Sequence, residues 1–349
     1  MHAGRLLGAI AALALVIVLV IVGIGALIGK VGGGSADYKG NGTDPIVIEV
    51  PQGATSGQIG RVLAAAGVVK SVGAFTSVAT KNDAKARTLQ PGFYRLRKQM
   101  SGKSAFNLLL DPSSRAESKF TLPEGLSVRQ ALPIISKGTG IPEPELQKVI
   151  DDPSQLGLPS YAKGAEGFLF PATYSVRPDA KPVDVLRLMV DRFKAEADQL
   201  NLVDGAARNH VTPLQLVTLA SIVEREVRND RGKAARVLYN RLGPDKAQFP
   251  TLGLDSTVRY ALKDFPGALT QSQLDTDSPY NTRKNPGIPP GPIGNPGTVA
   301  LQAVINPTPG NWVYFLSLPK EDKTYYASTT AEFNELRKKL AAQGGSGGY

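Results

Sequence analysis

Thr212-Pro213-Leu214-Gln215-Leu216-Val217-Thr218-Leu219-Ala220-Ser221-Ile222-Val223-Glu224-Arg225-Glu226-Val227-Arg228 is the stretch that anchors the reading of the chain. Thr212 fits an N-cap, Pro213 fits the first helical position, and Gln215 completes a capping box. Val211 and Leu216 are spaced for a hydrophobic staple. These signals predict a helix from Pro213 to about Arg228, with Leu216, Leu219, Ala220, Val223 and Val227 as its apolar stripe. At about 100° per residue, Glu224 falls on one flank of that stripe, between Val217 and Ala220. Glu226 falls on the opposite flank, and Arg225 points outward. A carboxyl half-buried on an apolar flank resists ionisation and can hand a proton to a leaving oxygen. The structural alternative is an ion pair between Glu224 and Arg228, one turn later. Periodicity does not choose between the two glutamates. Ala220 is small and would leave room for a ligand beside Glu224.

Upstream, Ile46–Val50 and Gly92–Leu96 read as strands, and Phe120–Leu122 as a third. Helices are expected from Ser56, as a cap, to Gly67, over 72–79 and over 104–110. Further helices are expected over 127–135, 143–150, 183–200 and 234–242. The stretch 243–297 is dense in Pro and Gly and reads as a long loop region, the kind that usually carries function. Trp312–Leu318 and Thr324–Ala327 read as a hairpin, and Thr329–Glu332 as the capping box of a last helix. The fold class expected is α+β: an N-terminal transmembrane helix, a small α/β subdomain and a larger helix-rich α+β domain.

Several chemistries are excluded by composition. The 349 residues contain no Cys, so no thiol nucleophile, disulfide or Cys-ligated metal exists. The only histidines are His2 and His210, too few for a two-histidine zinc motif. No metal site and no cofactor are expected, and the chemistry falls to carboxylates. The net charge of +10 is spread without a basic stripe, so nucleic acid is not expected as a partner. Ser160-Tyr161-Ala162-Lys163 spells Ser-x-x-Lys but lacks the companion motifs of a serine acyl-transferase. From Leu6 to Gly29 no residue is charged, long enough for a membrane-crossing helix. With only five residues before it, it reads as a signal anchor that leaves the rest of the chain outside the cytoplasm. Residues 1–5 are then a cytoplasmic stub, 30–44 a Gly-rich tether and 344–349 a disordered tail.

Leu219–Glu226 resembles the signature of the YceG-like endolytic murein transglycosylases. Further matches follow in the family's order: Pro91-Gly92-Phe93-Tyr94, Leu122-Pro123-Glu124-Gly125, Glu166–Tyr174, Val237–Leu242, Asp255–Tyr260, Ser278–Thr282 and Gly287–Ile293. Gly253 stands where the family usually has Gln, and Ser256 where Pro is common. The resemblance implies a LysM-like subdomain over 45–117 and a catalytic domain over 118–343. It implies a lyase that cuts between N-acetylmuramic acid and N-acetylglucosamine without water, leaving 1,6-anhydro muramoyl ends on nascent strands. On this reading Glu224 protonates the glycosidic oxygen and then takes the proton of the muramoyl primary hydroxyl. Glu226 is the alternative catalytic residue. Glu166, Asn240, Asp255, Thr257, Tyr280, Asn281 and Thr282 become supporting or substrate-binding groups. The implied partners are peptidoglycan strands, the plasma membrane and the peptidoglycan synthases and penicillin-binding proteins that build the wall. Two rivals stand beside it: a muramidase pairing Glu224 with Asp255 or Glu166 to activate water, and a non-catalytic wall-binding scaffold.

Overall fold

Strand β1 (Pro45–Val50) pairs antiparallel with β2 (Gly92–Arg97), in register from Pro45 opposite Arg97 to Val50 opposite Gly92. This computed structural model describes residues 36–116, 118–177, 180–243, 249–266, 269–318, 321 and 323–342. Between the paired strands run α1 (Ser56–Ala65), α2 (Val72–Lys81) and the short α3 (Asp83–Ala86), and α4 (Gly102–Leu110) follows β2. Thr55, rather than the expected Ser56, caps α1, in a reciprocal box with Gln58. Gly67 then turns the chain at φ +71, a left-handed conformation that suits glycine. Ile48, Leu63, Phe75, Leu96 and Phe106 fill the core of this unit.

The described chain divides into two units. The first ends at Ser118 and takes in a short return at Ser175; the second comprises Lys119–Tyr174 and the chain from Ala180 onward. Strands β3 (Ser118–Thr121) and β4 (Thr173–Val176) pair with each other. In the second unit α5 (Val128–Thr139) and α6 (Glu143–Asp151) precede β4. Then come α7 (Pro182–Gln199), α8 (Leu202–Arg208), α9 (Pro213–Glu226) and α10 (Arg231–Leu242). The region read as loop, 243–297, carries two helices among its described residues: α11 (Asp255–Ala261) and α12 (Gln271–Leu274). After α13 (Thr298–Ile305), the hairpin β5 (Tyr314–Leu318) and β6 (Lys323–Ala327) packs on α14 (Thr330–Ala342) through Leu316, Leu318, Phe333 and Leu336.

Helix α9 begins as predicted. Thr212 accepts from the Gln215 N–H at 3.2 Å, Gln215 accepts from the Thr212 N–H at 2.9 Å, and Pro213 opens the first turn. Its surroundings differ from the expected single stripe. Every residue from Leu216 to Val223 is buried, because α8, α10 and α13 pack around it. A helix covered on all sides needs its polar groups paired internally. Thr218 donates to the Leu214 carbonyl at 2.8 Å, and Ser221 donates to that of Thr218 at 2.7 Å. Ala220 has no exposed surface and leaves no ligand space; its smallness serves helix packing.

The fold class needs one correction. Among the described residues no helix is long and apolar enough to cross a membrane; the structure supports an α+β fold of helices and small sheets and gives no support to the expected N-terminal transmembrane helix. The run assigned to that helix, 6–29, lies outside the described residues, as do 1–5, 30–35 and 344–349.

Candidate active site

Glu224 occupies the last turn of α9, where the helix emerges from the core. Its side chain is 4% exposed. Oε1 accepts from the Arg231 guanidinium, at the start of α10, and Oε2 accepts from the Gly297 N–H at 3.1 Å, at the start of α13. The cation beside it is therefore Arg231 and not the expected Arg228. The turn to α10 passes through Asp230 at φ +55, which brings Arg231 back over the helix end. Glu124, on the turn after β3, lies close on the other side, its Oε2 3.7 Å from the same Arg231 nitrogen. Burial first, and the neighbouring Glu124 besides, push the Glu224 carboxyl above the usual carboxylate range; the Gly297 N–H and Arg231 pull the other way. Beside it opens a cavity of about 450 Å³ whose lining includes both Glu224 and Glu226, with Arg228, Asn229, Lys323 and Thr324. This size suits a ligand of a few sugar rings or less.

Glu226 lines the same cavity but its carboxyl is held by a different element. Its Oε1 accepts from the Ser256 N–H at 3.3 Å, in the first turn of α11, and burial raises its pKa. Asp255 beside it pairs with Arg283 at 3.0 Å. Thr257 and Thr282 share a buried hydrogen bond of 2.8 Å, and the Thr282 hydroxyl accepts from the Leu254 N–H at 3.1 Å. Asn281 is fully buried and donates to the carbonyls of Leu274 and Thr276, which folds its own turn. Asn240 stands apart, donating to the Gly310 and Trp312 carbonyls. Among the described residues no group of three or more His, Asp or Glu side chains could hold a metal ion.

Glu166 forms a second buried centre. Both its oxygens accept from the Val128 N–H, at 3.1 and 3.2 Å, at the positive end of α5, and the Tyr260 hydroxyl donates to it at 3.2 Å. Tyr280 packs on Tyr260, ring centres 4.8 Å apart. Burial outweighs these donors and lifts the Glu166 pKa from 4.5 to about 7. A carboxyl whose folded pKa is raised stabilises the fold fully below its unfolded pKa and loses that contribution as pH climbs through the folded one. The window is about pH 4.5 to 7. Urea unfolding of wild type should weaken across it by on the order of 3 kcal/mol from this group. Glu166→Gln should flatten that fall; parallel stability curves for the two proteins would refute it.

The sequence model of the YceG-like family matches residues 48–339. The chain belongs to the YceG-like family. It is 29% identical over 310 residues to the endolytic murein transglycosylase of Bacillus subtilis (strain 168), covering 84% of each chain. To the endolytic murein transglycosylase of Streptococcus pneumoniae (strain ATCC BAA-255 / R6) it is 30% identical over 318 residues, covering 81% of this chain but 56% of that relative. A crystal structure of a YceG-like protein from Listeria monocytogenes superposes with a TM-score of 0.56 at 28% identity, covering 84% of this chain and 99% of that one.

In this YceG-like chain the expected supporting residues gather in three places: Glu166 with Tyr280; Asp255, Thr257 and Thr282 beside Glu226; and Asn240 under Trp312. None of them makes a hydrogen bond to Glu224. The groups that do surround it, Glu124, Arg231 and Gly297, are absent from the expected set. Two signals point to them: a carboxylate in the Pro123-Glu124-Gly125 turn, and an arginine immediately after the Asn229-Asp230 helix break.

Proposed function

We propose that this protein is a peptidoglycan lytic transglycosylase with Glu224 as its proton-transferring residue. It cleaves the bond between N-acetylmuramic acid and N-acetylglucosamine within glycan strands and leaves 1,6-anhydro muramoyl ends. The observation that carries this is a desolvated carboxyl, fixed at both oxygens, beside an open cavity. Burial favours the protonated form, the form a general acid needs. Glu224 gives its proton to the glycosidic oxygen as the bond to the muramoyl C1 breaks. The muramoyl O6 then bonds to C1, and its proton passes to Glu224, which restores the acid. One carboxyl serves both halves of the cycle.

A hydrolytic muramidase needs a second carboxylate across the bond, about 5–9.5 Å away, to form a covalent intermediate or activate water. The obvious partners are engaged: Asp255 with Arg283, and Glu166 with Val128 and Tyr260. The single-carboxyl route is favoured on that ground. The substrate is laid down outside the cytoplasmic membrane, so the reading puts the enzyme on that membrane's extracytoplasmic face, beside the synthases and penicillin-binding proteins that extend the strand. The first unit, with two longer helices and the short α3 between its paired strands, suits a LysM-like glycan contact.

Mass spectrometry of fragments released from purified glycan strands tests the reaction class. The expected products end in anhydro muramoyl residues; reducing muramic ends bearing oxygen from labelled water would establish hydrolysis instead.

A further inference from the structure

The Glu224 carboxyl does not stand alone against Arg231, and its companion, Glu124, is held there by dedicated architecture. The Pro123-Glu124-Gly125 turn is laced to the Gly294-Asn295-Pro296-Gly297 turn. The Gly125 N–H donates to the Asn295 carbonyl at 2.8 Å, and the Asn295 N–H and side-chain amide both donate to the Leu126 carbonyl at 2.8 Å. Asn295 is fully buried and also accepts from the Leu169 N–H at 2.9 Å. Gly125 takes φ +77, and a side chain there would touch the Glu224 methylenes. A Cβ on Gly297 would overlap the Glu124 carboxyl. Position 297 is thus kept bare so that Glu124 can stand beside Glu224, while its N–H holds Glu224.

The charges around the pair can be enumerated. Arg231 faces both carboxyls from α10. Arg225, the next residue of α9, is committed to Asp264 at 2.8 Å and to the Ile293 carbonyl. Glu226 faces α11, and Arg228 and Lys323 line the cavity. With both carboxyls ionised, the one adjacent guanidinium leaves a surplus negative charge in a desolvated corner. Taking up one proton cancels it, and that proton belongs to the pair. The two members differ in access to water: the Glu124 side chain is 45% exposed, that of Glu224 only 4%.

Resting on the reading of Glu224 above, we infer that Glu124 is a positioning residue: the two carboxyls share one proton against Arg231, so that Glu224 meets the substrate as an acid.

The test is the pH profile of kcat/KM for release of anhydro-ended fragments by the full chain. In the wild type the falling alkaline limb reports loss of the shared proton. Glu124→Gln should move that limb down by about one pH unit or more, with activity recovering toward wild type in acid. Gly297→Ala, which displaces the Glu124 carboxyl without changing charge, should move it the same way. Arg231→Gln should move it up, and Arg231→Lys should restore it. A uniform loss at every pH with the limb unmoved, in Glu124→Gln or Gly297→Ala, would overturn the inference and mark Glu124 as structural. If Glu124→Gln does not fold, as judged by its thermal midpoint, the opposed shifts of Gly297→Ala and Arg231→Gln decide. Failure of the underlying reading looks different: Glu224→Gln would itself go on releasing anhydro ends.

Discussion

Glu224→Gln should lower the release of anhydro-ended fragments by on the order of 1000-fold or more, since the residue supplies both general acid and general base. The amide is nearly isosteric and can still accept one of the two hydrogen bonds that Arg231 and Gly297 donate. Its neutrality also removes the desolvation that raises the Glu224 pKa, so the folded state should not suffer. Fold and activity are therefore separable here: the thermal midpoint should stay at or above that of wild type while turnover collapses. Glu226→Gln should keep most of its activity, because Glu226 is engaged by the first turn of α11. Liquid chromatography of glycan digests with mass detection reads both variants. Retention of activity within tenfold of wild type by Glu224→Gln, or loss of anhydro ends in Glu226→Gln alone, would reverse the assignment.

Some of this site is legible in the sequence and some is not, for a physical reason. The start of α9 can be read because capping is local: Thr212, Pro213 and Gln215 meet within one turn. The strands at 45–50, 92–97 and 314–318 follow from short β-branched and aromatic runs between turn residues. What surrounds α9 cannot be read the same way. Its polar Thr218 and Ser221 look like an outer face, yet they are buried because they bond to their own helix. The expected partner of Glu224 at one helical turn, Arg228, follows from helix periodicity; the true one, Arg231, requires α9 to stop at Glu226 and a left-handed Asp230 to start the next helix. Glu124 joins from a distant turn through Asn295, and no local pattern encodes that meeting. Likewise α11 hides inside a Pro/Gly-rich stretch, since its seven residues are too few for a periodic signal.

Asp264→Ala should be the most destabilising single change considered, by about 3–5 kcal/mol in urea unfolding at neutral pH. Its carboxylate is 3% exposed and gathers three donors from two helices: it accepts from Ser127 at the cap of α5, from Arg129 in that helix's first turn, and from Arg225 in the last turn of α9. Removing it leaves the Arg225 cation, 15% exposed, with the Ile293 carbonyl but without its paired carboxylate. Alanine also fits poorly at φ +65, where Asp or Asn is tolerated. Asp264→Asn keeps the backbone preference and one acceptor, so it should fall between wild type and alanine, which separates the charge from the strain. The loss should reach the chemistry as well. Arg225 adjoins Glu224, and without its anchor the last turn of α9 is free to fray, so anhydro-product release should decline in the same order as stability. An alanine variant within 1 kcal/mol of wild type would mean that Arg225 finds another anion, and that Asp264 does not hold the end of α9 in place.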